Sequence, residues 1–129
     1  MVGDFNSSVV FDKTNTKRNH TLLIDRLAQI GLVPIYHHLT GEEQGGEQTP
    51  TFYLQRNVEK PFHIDHVFGK PDFVTECDVA PNSTHNHWLT LSDHMPISIE
   101  VDTDPKPKFT YSHTVASPKK ATNKAERPR

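Results

Sequence analysis

Three short segments carry the residue types that could handle a phosphate ester: Gly3-Asp4-Phe5-Asn6, Ile64-Asp65-His66 and Ser92-Asp93-His94-Met95-Pro96. Asp4, Asp65 and Asp93 offer hard carboxylate oxygens of the kind that suit Mg²⁺ or Mn²⁺. Asn6 has an amide that can donate to a phosphoryl oxygen or orient a water, and the His94 imidazole can stabilise or protonate charge that develops on phosphorus. Taken singly, each segment has a plainer explanation. Gly-Asp-Phe-Asn is a turn in which Asp and Asn satisfy the backbone, and Ser-Asp-His is a strand entry with local side-chain bonds. The information lies in the series and its order.

GDFN, then IDH about sixty residues later, then SDHMP about thirty further on, resembles the C-terminal motif series of the endonuclease/exonuclease/phosphatase superfamily. That superfamily of metal-dependent phosphoesterases includes pancreatic-type deoxyribonucleases, apurinic-site endonucleases, neutral sphingomyelinases and inositol-polyphosphate phosphatases. The stretches Pro50-Thr51-Phe52-Tyr53 and Lys60 to Phe68 are similar to those of bacterial members, so the resemblance covers roughly residues 3 to 101.

The resemblance implies that Asp4 and Asn6 flank the attacking water and the scissile phosphate. It further implies that Asp65 orients His94, that Asp93 and Asp4 contribute to a metal site, and that His94 contacts the phosphoryl oxygen. The implied activity is hydrolysis of a phosphodiester or phosphomonoester, nucleic acid among the candidate substrates, by water activated on Mg²⁺ or Mn²⁺. The implied fold is α/β: half of a four-layer α/β sandwich, with a mixed, mostly antiparallel sheet and one main helix. Family domains run to about twice this length. Their first half supplies an asparagine, a glutamate ligand and a further histidine, so an N-terminal half is expected upstream and the isolated chain is expected to be inactive. The alternative is a catalytically inactive remnant or binding module that retains the second half of the fold. The usual Tyr after the second-motif Asp is His66 here.

The elements that must position these groups are legible in outline. Asn19 to Ile30 has Leu23, Leu27 and Ile30 at helical spacing and stops at Gly31 before Pro34. Val33 to Leu39, Thr51 to Gln55, His63 to Phe68, Phe73 to Val79 and Pro96 to Val101 are short and β-branched or aromatic, and are predicted to be strands. Thr40 to Pro50 and Ala80 to Leu91 are predicted loops, the places from which substrate specificity would come. Strand alternation predicts His63 and His66 on opposite faces, and the same argument separates His37 from His38. His85 and His87 are predicted surface residues. Phe52, Tyr53 and Trp88 could stack a base or sugar, although aromatics in strands more often belong to a core. An uncovered sheet would leave Val10, Val67, Phe68 and Ile97 as candidates for exposure.

Charge divides the chain. Residues 1 to 104 hold 7 Lys/Arg against 15 Asp/Glu, and residues 105 to 129 hold 7 against 1. An acidic body argues against sequence-independent nucleic-acid binding by its surface, and a phosphate substrate would need cations to offset repulsion. Residues 105 to 129, with four prolines, are predicted to be a disordered basic tail following a domain over 1 to 104. One cysteine, Cys77, rules out an internal disulfide. No apolar run approaches the ~20 residues that span a bilayer, and the chain as written, without a signal-like N-terminus, is expected to be cytoplasmic.

Overall fold

The computed structural model describes residues 1–12 and 19–104. The predicted basic tail lies outside the described residues. Within them the chain is a mixed α/β fold of small antiparallel sheets and few helices: β1 (Val2–Asp4), α1 (His20–Ala28), β2 (Val33–Pro34), α2 (Ile35–Thr40), β3 (Phe52–Tyr53), β4 (Pro61–Phe62), β5 (Asp65–Gly69), β6 (Val74–Val79), α3 (His85–Trp88) and β7 (Ile97–Val101). Strands β1, β5 and β2 form one sheet in that order, β3 pairs with β4, and β6 pairs with β7. No helix among the described residues is long and apolar enough to cross a membrane.

Helix α1 starts where two side chains meet its free amides. Asn19 Oδ1 accepts from Leu22 N at 2.8 Å, and the Asp12 carboxylate accepts from His20 N at 2.6 Å and Thr21 N at 3.0 Å. These bonds answer the orphan N–H groups of the first turn. The helix ends as Gly31 takes φ +78° and Leu32 N returns to Leu27 O at 3.0 Å, a left-handed stop that suits glycine. Ile30 lies beyond the helix and is exposed.

The segment predicted as a strand over Val33 to Leu39 is a strand for two residues only, and then the helix α2. Pro34 stands at the N-cap with φ −69°, where a missing N–H costs nothing. One turn of helix then buries Ile35, Tyr36 and His37 together, which a strand with alternating sides cannot do. The β-branched and aromatic content was a packing signal for a core position, and tertiary context overrode it. Ile35 is fully buried, and α2 packs against β5 and β6. Tyr53, Val67, Val74, Cys77, Val79, Leu89 and Met95 complete the apolar core, with Trp88 partly buried against it.

The loop from Gly41 to Pro50 is tied down by its own carboxylates. Glu42 Oε2 accepts from Tyr36 Oη at 3.0 Å and Gln48 N at 2.9 Å; Glu47 Oε1 accepts from Gly45 N at 2.9 Å and pairs with His37 Nε2 at 2.8 Å. Gly45 has φ +83°, and a Cβ there would meet Val9 Cγ2 at 2.8 Å, so the loop closes onto the 3-10 turn Val9–Phe11 only with glycine. The predicted loop Ala80 to Leu91 contains the one-turn helix α3.

Val67 and Phe68, candidates for exposure, are 4% and 1% exposed; Val10 is half exposed. Phe68 is covered by the Phe5 ring, 5.4 Å away between centroids. An apolar groove remains between β1 and the β6/β7 pair, lined by Met1, Val2, Phe73, Ile99 and Val101 among others.

A layer of imidazoles lies under the β1/β5 edge. His20 contacts His66 at 4.4 Å between ring centroids, His66 contacts His63 at 5.4 Å, and His63 contacts His37 at 5.6 Å. His63 and His66 thus share a layer, against the expectation from alternation, because β5 begins only at Asp65 and the backbone before it is not a regular strand. Burial lowers the pKa of His20 and His63 and takes His66 down to about 4. Burial works to raise Glu47, but the bonds from His37 and Gly45 outweigh it and hold that carboxyl at about 2.

The signs agree. The unfolded chain takes up protons at histidine below about pH 6.5, before the folded chain does. Stability is therefore full above that pH and falls as pH drops toward the folded value of about 4 for His66. Glu47 adds a loss between its unfolded value of 4.5 and about 2. Urea denaturation at a series of pH values should show a fall starting near neutrality, with His66 alone contributing roughly 3 kcal/mol by about pH 4. A midpoint flat from about pH 7 down to pH 5 would contradict the buried-imidazole account.

Candidate functional site

Strand β1 lies antiparallel to β5 with Asp4 directly opposite Asp65. This register puts the carboxylates of the first two motifs side by side. The third motif arrives through β3: Tyr53 N bonds Asp93 O at 2.8 Å, and Phe52 forms an isolated antiparallel bridge with His94. His94 Nδ1 then lies 2.9 Å from Asp65 Oδ2 and 3.1 Å from Asp65 Oδ1, while its Nε2 lies 3.9 Å from Asp4 Oδ2. Because Asp65 is acceptor-only when ionised, it selects the ring form with a proton on Nδ1 and turns Nε2 outward. The Phe52 ring, 4.7 Å from that of His94, limits the imidazole on one side.

Asn6 sits at the rim in a left-handed turn with φ +47°. Its N–H donates to Asp4 Oδ1 at 2.7 Å and its Nδ2 to Asp4 Oδ2 at 3.3 Å. Such a turn is one that Asn adopts more readily than most residues. Asp4, Asn6, Asp65 and His94 therefore converge. Asp93 is next to His94 in the chain but does not join them. Among the described residues, Asp4, Asp65 and His94 are the group of three whose ligating atoms all lie within 4.8 Å of one another. Two hard oxygens and one imidazole nitrogen are a donor set that a divalent ion can use, and Asp4 is the more available of the two carboxylates, exposed where Asp65 is only partly so.

One positioning residue was not singled out in the sequence. Thr51 is fully buried, and its Oγ1 accepts from Ile64 N at 3.0 Å and from Asp65 N at 3.1 Å. Its own N–H donates to Phe62 O at 3.0 Å and its carbonyl accepts from Met95 N at 2.7 Å. One threonine thus ties the approach to Asp65 to the residue after His94. The available signal was slight: a β-branched hydroxyl between Pro50 and two aromatics.

Of the other candidates, Tyr53 is buried in the core, Trp88 packs against it, and Phe52 alone of the three aromatics touches the site. His38 is exposed on α2, His85 is partly buried beside Tyr53, and His87 is exposed.

Thr51→Val keeps the shape and removes the acceptor, stranding the buried amide of Ile64 and the partly buried amide of Asp65. It should lower stability in urea by about 2 to 4 kcal/mol, at the 1–3 kcal/mol that an unsatisfied buried group costs, whereas Thr51→Ser should recover most of the loss. Equal stability of the valine and serine variants would show that the hydroxyl carries none of this. No family model, curated protein or solved structure matches the chain.

Proposed function

We propose that the chain carries part of a divalent-metal-assisted phosphoesterase centre, acting on a phosphodiester or phosphomonoester. The observation that supports this reading is the convergence of Asp4, Asp65 and His94 from segments distant in sequence onto one rim, with Asn6 hydrogen-bonded to Asp4. On the same reading the small antiparallel sheets are one side of a four-layer α/β sandwich, and nucleic acid is one of several candidate substrates.

Each residue then has a defined task. Asp65 holds His94 by Nδ1–H and leaves Nε2 directed toward Asp4; in the imidazolium form Nε2 also carries a proton and would donate it in a hydrogen bond to a non-bridging phosphoryl oxygen. Asn6 Nδ2 is positioned to donate to the phosphate or to an attacking water once Asp4 is engaged elsewhere. Asp4, the exposed carboxylate of the group, would hold Mg²⁺ or Mn²⁺ with Asp65 beside it. When bound, that ion would supply charge neutralisation at the phosphate and lower the pKa of a water. The acidic body, 7 Lys/Arg against 15 Asp/Glu over residues 1 to 104, leaves few side-chain cations to do this instead. Mg²⁺ takes six ligands in near-octahedral geometry, so waters, substrate or residues beyond this chain must provide most of them. A second reading, a phosphate-binding module without turnover, is favoured by the small number of ligands the three groups provide.

Mg²⁺ titration followed by NMR should perturb the His94 ring and the Asp4 amide with weak affinity, on the order of millimolar, and Asp4→Ala should abolish the response. No perturbation at either residue would remove the metal from the account. Hydrolysis of bis(p-nitrophenyl) phosphate by residues 1–129 alone is expected to be negligible. Robust Mg²⁺-dependent turnover that His94→Ala abolishes would show that these groups suffice and would exclude the binding-module reading.

A further inference from the structure

The segment that delivers Asp4 and Asn6 alternates. Asp4 and Asn6 are exposed at the rim, while Phe5 and Ser7 are partly buried. Phe5 N is bonded to Ile64 O at 3.0 Å, and the Phe5 ring stands edge-on to His66 at 5.8 Å between centroids. Beyond Asn6 the ladder between β1 and β5 has ended. Something else must keep the left-handed turn in place, because the backbone after a single αL residue can leave in many directions.

Ser7 is gripped at two points by buried imidazoles from different elements. His66 Nε2 donates to Ser7 O at 2.8 Å, and His20 Nδ1 lies 3.0 Å from Ser7 Oγ. His66 is 3% exposed and His20 0%. His20 is the first residue of α1, which Asp12 and Asn19 fix at its N-terminus, so the grip is anchored to a rigid element. Its other nitrogen, Nε2, is buried without a hydrogen-bond partner among the described residues. A buried polar atom left unpaired is a cost to stability. An apolar side chain would avoid that cost, so packing alone does not explain an imidazole at this position.

We propose that His20 and His66 form a two-point clamp on Ser7 that sets the position of Asn6 and Asp4, making His20 a positioning residue of the site. The clamp as a structural device stands on these contacts alone; its consequence for phosphate-ester chemistry rests on the function proposed above. His20 touches neither Asp4 nor His94. It acts through Ser7, one residue from Asn6, while His66 fixes the same residue from β5, next to Asp65.

The test separates positioning from stability. In the full chain, amide exchange by NMR at Asn6, whose N–H is held by Asp4 Oδ1, is compared with exchange in the β6/β7 pair. His20→Phe and Ser7→Ala each remove the His20 to Ser7 bond, and each should speed exchange at Asn6 about tenfold, the equivalent of one ordinary hydrogen bond. Amides of β6 and β7 should be unchanged. His20→Asn places an amide atom the same number of bonds from Cα as Nδ1 and should restore slow exchange at Asn6. Unchanged exchange at Asn6 in both His20→Phe and Ser7→Ala, or a rise shared equally by Asn6, β6 and β7, would overturn the clamp. So would failure of His20→Asn to differ from His20→Phe. None of these readouts depends on metal binding or turnover, so the clamp and the proposed function can fail independently.

Discussion

The hydroxyl and backbone of Thr51 hold together the parts of this chain that would otherwise have no reason to meet. Its Oγ1 takes the amides of Ile64 and Asp65, and its main chain takes Phe62 and Met95. Strands β3 and β4 are two residues each, too short to define a register by ladder bonds alone. A fully buried side chain that satisfies two adjacent amides replaces the missing ladder. Asp65 makes one of these bonds through its own amide and His94 is one residue from another, so their 2.9 Å contact follows from how Thr51 is satisfied. The β1/β5 register then adds Asp4, and the turn at Asn6 closes the rim.

Electrostatics give the rim its character. Two carboxylates face one imidazole, and the surrounding body is acidic, so the local field attracts cations and repels free phosphate. A phosphate ester can approach such a place only together with positive charge, from a metal ion or from His94 itself. The imidazole layer beneath has the opposite logic. It is uncharged in its neutral form, and it carries charge only at a cost that rises with each added proton. Neutral, those rings pack like aromatics and still donate to backbone oxygens, as His66 does to Ser7 and His63 Nδ1 does to Thr49 O at 3.0 Å.

What could be read in the sequence depended on whether the signal was local. Helix α1 was legible because capping and helical spacing are local properties, and β6 and β7 because each is a short β-branched run. The convergence of Asp4, Asn6, Asp65 and His94 was legible from motif order. Helix α2 was not, because Ile35, Tyr36 and His37 are chosen for burial against β5 and β6, and β-branched or aromatic content reads the same in a strand. The shared layer of His63 and His66 was missed because alternation was applied across Ile64, where the strand has not begun. Thr51 and the Ser7 clamp were invisible for a related reason: both join residues many positions apart through single hydrogen bonds that leave no periodic trace. Asp93, selected with the same motif as His94, stays outside the group of Asp4, Asp65 and His94.

Anomalous diffraction from crystals of the chain soaked in Mn²⁺ tests the central claim most directly. The account predicts a single strong peak within about 2.0–2.3 Å of an Asp4 carboxylate oxygen, near Asp65 and His94, and its loss in Asp4→Ala. A peak elsewhere with none at Asp4, or a peak at the rim that survives Asp4→Ala, would contradict it.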